Sequence, residues 1–178
     1  MDSFTSETRE WSAKDVAQLL ISHNALTELT LQEALEVVRL LAPLHVAAET
    51  VLIEEGVTST GYMALVLEGE AVVLNAIEGS EENVILSTLG PGAVFGELGI
   101  LDGKARSATI TAVTDMDIAV LDRVGLARLV DSLPGVACSL FSAIIVRVGE
   151  RLRATNIRVQ ELVAENKKLK ELTSRRAA

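Results

Sequence analysis

Between His45 and Val120, a stretch dense in Asp and Glu, the sequence carries two cationic side chains, Lys104 and Arg106. An anion bound by this region must therefore meet its counter-charge in one short segment, Phe95-Gly96-Glu97-Leu98-Gly99-Ile100-Leu101-Asp102-Gly103-Lys104-Ala105-Arg106-Ser107-Ala108-Thr109. Arg106 offers a planar, permanently charged fork suited to bidentate phosphate contact. Ser107 can donate one more hydrogen bond. Gly96 and Gly99 permit backbone conformations and close approaches that side chains resist, and a one-turn helix here would turn free N–H groups toward an anion. Glu97 has the opposite task. A carboxylate beside a phosphate repels it, so its natural partner is a hydroxyl donor a short distance away, such as a ribose 2′-OH. Phosphate and ribose together specify a nucleotide. The plainer alternative is a surface pair between Arg106 and Asp102 or Glu97.

Other chemistries fail on spacing. Gly99-Ile100-Leu101-Asp102-Gly103-Lys104-Ala105 has the outline of a P-loop, but three residues separate its glycines where four are needed. Ala105 also stands where a magnesium-binding Ser or Thr belongs. No nucleophile and base stand at a recognisable spacing, so an enzyme is not expected. His23 and His45 have no partners at ligand or catalytic spacing and read as structural, as Trp11 reads as a packing residue. Cys138, the single cysteine, gives neither an internal disulfide nor a metal cluster and is expected as a buried, inert thiol.

These groups need a frame. Ser12 and Asp15 mark the start of an amphipathic helix running to about His23, with Val16, Leu19 and Leu20 at helical spacing. A second helix is predicted from about Thr30 to Leu41, where Pro43 stops it. The texture then changes to short apolar runs: Thr50–Ile53, Met63–Leu67, Ala71–Leu74, Val84–Leu89, Ala108–Ala112 and Ile118–Leu121. Turn signals at Glu55-Gly56, Glu68-Gly69, Glu78-Gly79-Ser80 and Gly90-Pro91-Gly92 separate them, so they read as strands of a compact sandwich or barrel.

A short helix follows from about Val124 to Ser132, and a long one from Gly135 to about Thr173, with no proline and with Gly149 as its only internal glycine, a tolerable weakness. Its distal half has a heptad repeat in which Ile145, Val148, Leu152, Thr155, Val159, Leu162, Asn166, Leu169 and Thr173 alternate as a and d positions. Asn166 at an a position suits a two-stranded parallel dimer, and Glu165 can pair with Lys170 of a second copy. The alternative is a solvated helix whose apolar stripe packs on its own barrel.

Of the 178 residues, 49% are hydrophobic but only 3% aromatic, so the core must be aliphatic. Charges break the apolar runs well before the roughly 20 residues a bilayer-spanning helix needs. The Met1-Asp2 start lacks a basic signal region, and a cytoplasmic protein without a membrane partner is expected. A net charge of −9 argues against a nucleic-acid backbone as the main partner. The basic residues of the distal helix are interleaved with acids, as on a solvated face.

The segment from Phe95 to Ala108 resembles the phosphate-binding cassette of the cyclic-nucleotide-binding family: Phe-Gly-Glu-Leu, a short spacer, then Arg and two small residues. The likeness reaches further. His45-to-Gly56 resembles the family's first barrel strand, Gly61-to-Leu74 its hairpin with a central Glu-Gly, and Met116–Arg123 its last strand. The likeness spans about residues 30 to 158, and the chain is similar overall to bacterial regulators of the catabolite activator protein type. It implies an α+β fold: a jelly-roll-like β-barrel (double-stranded β-helix) with N-terminal helices and a long C-terminal dimerisation helix. The corresponding parts are an N-terminal helical extension (1–29), the barrel with flanking helices (30–133) and the long helix ending in a parallel coiled coil (134–178).

The resemblance also implies roles. Arg106 and Ser107 would hold the cyclic phosphate with backbone N–H groups near Leu98 and Ala108, while Glu97 and the Gly96 backbone take the ribose hydroxyl. Val73, Leu86 and Leu89 would form the apolar wall beside the base. Setting Arg151-Leu152 against the family's pair on the long helix puts Thr155 and Asn156 near the base edge, whereas an ungapped alignment places Arg151 and Leu152 there. Thr155 reads equally as a coiled-coil imperfection. Ser107 resembles the bacterial cAMP regulators, though such a hydroxyl can also serve a guanine amino group, so cAMP is expected ahead of cGMP, with no other cofactor. Transcription regulators of this type continue into a helix-turn-helix, and none is visible before Ala178. The expectation is a homodimeric sensor that acts on an effector protein and does not itself bind DNA. The alternatives are a ligand-free dimerisation scaffold or a truncated transcription regulator.

Overall fold

Two reciprocal caps open the first helices of the computed structural model, which describes residues 3–5, 10–58, 61–76 and 83–176. A small sheet, β1 (Ser3–Thr5) paired with β2 (Glu10–Ser12), precedes them and has no counterpart among the predicted elements. Ser12 Oγ accepts the Asp15 N–H at 3.1 Å while the Asp15 carboxylate accepts the Ser12 N–H at 3.3 Å, and α1 (Ala13–Leu20) begins. Thr30 and Glu33 repeat the device for α2 (Leu31–Val38). Both helices end short of their predicted limits. The N–H groups of Ser22, Leu40 and Leu41 bond to carbonyls three residues back, which tightens each last turn and ends the α-helical ladder.

Pro43, expected only as a helix stop, lies inside β3 (Ala42–Val46). This strand is at a sheet edge, where a missing N–H breaks no ladder on the open side. The run expected as one first strand divides at Glu49, whose φ of 65° turns the chain, and β4 (Val51–Ile53) joins the other sheet. There follow β5 (Tyr62–Glu68), β6 (Ala71–Ala76), β7 (Asn83–Leu89), a two-residue β8 (Val94–Phe95), α3 (Glu97–Asp102), β9 (Thr109–Ala112) and β10 (Met116–Asp122). The predicted turn at Glu78-Gly79-Ser80 lies outside the described residues. The expected barrel is realised as two four-stranded antiparallel sheets, ordered β3-β10-β5-β8 and β4-β9-β6-β7, rather than a closed cylinder.

Each sheet turns alternate residues inward, as the pleat requires. Val46, Ala64, Val66, Phe95, Met116 and Ile118 from one meet Ile53, Ala71, Val73, Leu89, Ile110 and Ala112 from the other in one buried cluster. Phe95 is the one aromatic among the buried members of this cluster, in keeping with the composition. His45, opposite Asp117 in the β3–β10 register, brings Nδ1 to 2.8 Å from the buried Asp117 carboxylate, a partner 72 residues away in sequence.

Asp122 caps α4 (Arg123–Ser132) by accepting the Gly125 N–H at 2.7 Å. Pro134 then opens α5 (Pro134–Arg176), 43 residues that continue through Gly149. The chain forms two compact units, Met1–Ala143 and Ile144–Ala178, so α5 begins in the first and continues into the second. In the first unit Ala137, Leu140 and Ala143 recur at helical spacing and are buried. Cys138 falls on another side of that turn and is exposed, which corrects its expected burial. Ser139 Oγ donates to Glu33 at 2.5 Å and ties the start of α5 to α2. In the second unit Ile145, Leu152, Val159, Leu162 and Leu169 are exposed along the heptad seam. Among the described residues no helix is long and apolar enough to cross a membrane.

Candidate functional site

The cassette leaves the first sheet at β8, which holds it to β5 through the pairs Ala64–Phe95 and Leu65–Val94. Gly96 follows with φ 76° and starts α3, and Gly103 with φ 64° ends it. Both are left-handed conformations that glycine adopts without strain. At its far end the cassette joins the second sheet. The Arg106 N–H donates to the Val57 carbonyl at 3.1 Å and its carbonyl accepts from the Gly56 N–H at 2.9 Å, just before β9 begins.

Among the described residues three charged side chains are buried: Glu97, Arg106 and Asp117. Asp117 has His45, and the other two belong to the cassette. Arg106 is only 7% exposed, so it is not the surface charge of the plainer alternative. Its Nη1 donates to the Gly96 carbonyl at 3.2 Å, while Nη2 is buried without a hydrogen-bond partner among the described residues. A guanidinium nitrogen left in that state costs free energy until an acceptor arrives. Gly99 has a steric role here, since a β-carbon on it would run into Nη1 and Cζ of Arg106. Asp102, one proposed surface partner of Arg106, accepts the Lys104 N–H at 3.0 Å.

The remaining expected residues are placed as follows. Glu97 begins α3, 4% exposed, and Leu98 beside it is exposed, with its N–H in the first turn where no intrahelical acceptor exists. Ser107, directly after Arg106, is exposed, and Ala108 is half-buried. Val73 and Leu89 are buried together in the aliphatic cluster. Leu86 is 57% exposed at the β6–β7 register shift, where Val73 pairs with Ser87 and Leu74 with Ile85. Thr155 and Asn156 belong to the second unit and are exposed, and the Thr155 hydroxyl donates to the Arg151 carbonyl at 2.8 Å.

Two residues at the cassette escaped the sequence reading. Tyr62, at the start of β5, has its ring centroid 5.4 Å from the Arg106 guanidinium carbon and meets Phe95 edge-on at 6.5 Å. Burial pushes its phenol up from the usual value, and the Arg106 charge opposes that rise. Arg123, at the start of α4, donates from Nη2 to the Gly99 carbonyl at 3.3 Å, and so reaches α3 from the element that leads into α5. A lone Tyr beside Gly61 was the available signal for the first. The second had none, because its acceptor is a backbone atom.

The arrangement can hold a compact anion against a buried cation and a sugar hydroxyl against a buried carboxylate. Residues 43–132 match the family described as the cyclic nucleotide-binding domain. The chain is similar to a cGMP-dependent protein kinase of Drosophila melanogaster, 31% identical over 64% of this chain and 10% of the kinase. It is also similar to the cyclic AMP receptor protein of Thermus thermophilus, 36% identical over 57% of this chain and 44% of the receptor. It thus spans less than half the length of either. A cyclic nucleotide-binding domain from Methylobacillus flagellatus shares the fold, with a TM-score of 0.71 and 22% identity over 82% of this chain and 81% of that one. Cassette, two-sheet frame and matched span agree, and the chain belongs to the cyclic nucleotide-binding domain family.

Proposed function

We propose that this protein is a cyclic-nucleotide sensor that binds cAMP in preference to cGMP, works as a homodimer through the distal part of α5, and signals to a partner protein. The observation that carries the reading is the buried Arg106, with one nitrogen unpartnered among the described residues, in an acid-rich stretch whose one other cation is Lys104. A cyclic phosphate supplies one negative charge and acceptors for that nitrogen, and Ser107 lies beside it to add a donor. The adjacent Glu97 carboxylate suits the ribose hydroxyl. The preference for cAMP is supported by Ser107 and by the likeness to a receptor named for cAMP, while the kinase is named for cGMP.

The dimer is supported by the exposed heptad stripe of α5 and by Asn166 at an a position, where a like amide across a parallel pair satisfies it. Ligand-dependent output runs through a shift in population: a nucleotide that favours one placement of the cassette favours the matching placement of α4 and the first turns of α5. Arg123 on the Gly99 carbonyl and Ser139 on Glu33 are the contacts available to transmit it.

A thermal-shift panel of cAMP, cGMP and cyclic di-GMP tests the reading. Ligand at about 100 times its Kd raises the free energy of unfolding by about 2.7 kcal/mol, a shift of several degrees. The largest rise is expected with cAMP and a smaller one with cGMP. A melting temperature that none of the three moves would favour a ligand-free dimerisation scaffold instead.

A further inference from the structure

Tyr62 is the only tyrosine in the chain. Its ring is fixed in two ways: Phe95 meets it edge-on at an interplanar angle of 75°, and its hydroxyl donates to the Leu52 carbonyl at 2.6 Å, which ties β5 to the segment of β4 in the other sheet. The Arg106 guanidinium lies against this ring, with the Gly96 carbonyl on Nη1 and the backbone of Gly99 packed close to it.

We propose that Tyr62 is a positioning residue for the phosphate grip, its ring holding the Arg106 guanidinium in place before the ligand arrives. This rests on reading Arg106 as the phosphate ligand. The physical reason for an aromatic partner is specific. A carboxylate would hold the arginine more tightly, but it would neutralise the charge and occupy the donors that the phosphate needs. A π face attracts the cation while leaving every N–H free for hydrogen bonding. It also removes rotamer freedom that a long side chain would otherwise lose on binding.

The experiment compares wild type, Tyr62→Phe and Tyr62→Leu by isothermal titration with cAMP and cGMP, with melting curves to verify folding. Because the cyclic phosphate is common to both nucleotides, Tyr62→Leu weakens both alike, by about 5- to 30-fold. Tyr62→Phe keeps the ring and stays within about threefold of wild type. A second readout uses the single phenol. The Arg106 charge lowers its pKa, so Arg106→Ala moves phenolate formation, followed by ultraviolet absorbance, to higher pH. Saturating cAMP, whose phosphate offsets the same charge, moves it the same way in wild type.

Tyr62→Leu binding as tightly as wild type, or Tyr62→Phe losing as much as Tyr62→Leu, overturns the role of the ring. If Tyr62→Leu does not fold, the phenolate titration decides, and a midpoint that bound nucleotide leaves unmoved overturns it. Wild type that takes up neither nucleotide overturns the cyclic-nucleotide reading, and this role with it.

Discussion

The cassette and the distal part of α5 break the inside-out pattern of a soluble protein in opposite directions. In the cassette a cation is buried, Arg106 at 7% exposure, with Nη2 lacking a protein acceptor among the described residues. On the helix apolar side chains are exposed, Ile145 at 68% and Leu169 at 65%, at the heptad spacing of a seam. A buried charge is stabilised by an anion and an exposed apolar stripe by another apolar stripe. On the proposed reading, each feature would be resolved by something outside the isolated chain. The two also answer to different probes, salt and phosphate for one and concentration for the other.

The largest effect is expected on the helix. Leu162→Glu places a charge in the middle of the proposed seam, where both copies would bury it, and should leave a monomer at micromolar concentration in sedimentation velocity where wild type is a dimer. Nucleotide binding should survive. A variant that remains dimeric would move the subunit contact elsewhere on the molecule.

A smaller effect separates stability from function in the cassette. Arg106→Met removes an incompletely paired buried charge and keeps the volume, so the ligand-free melting temperature should stay level or rise by a few degrees while the nucleotide-induced shift disappears. A drop of ten degrees or more would mean that Arg106 is held mainly as a structural residue.

The smallest effect lies at the joint between α2 and α5. The Ser139 hydroxyl, followed by the Thr30 backbone and side chain, holds the Glu33 carboxyl below its ordinary value. A carboxylate with a lowered folded-state pKa adds stability that is fully present above the unfolded value, about 4.3, and is lost as pH falls through the folded one. Ser139→Ala should therefore melt slightly below wild type at neutral pH, and the gap should close as the buffer is taken well below the ordinary glutamate range. A gap that does not change with pH would remove the carboxylate from the account.

How much of this could be read beforehand follows from how local each feature is. The cassette was legible because glycine, carboxylate and arginine at that spacing have few other uses, and the likeness to a known family fixed their order. The long helix was legible from the lack of proline and from periodicity, and the same periodicity marked the apolar residues that the structure leaves exposed on it. The division of the first strand at Glu49, the placement of Pro43 on a sheet edge and the two-residue β8 are set by which sheet each segment joins, and no short window contains that information. The same holds for Asp117 beside His45 and for Tyr62 beside Arg106, pairs made by register between distant strands and loops. Cys138 was misread because helical phase, more than residue type, decides which positions on α5 face the interior.

The most direct measurement is isothermal titration of cAMP into wild type and into Arg106→Ala. Loss of the proposed charged contact to the phosphate should weaken binding by about 100-fold or more, with folding verified by circular dichroism. Equal affinities in the two proteins would contradict the assignment of Arg106 to the phosphate.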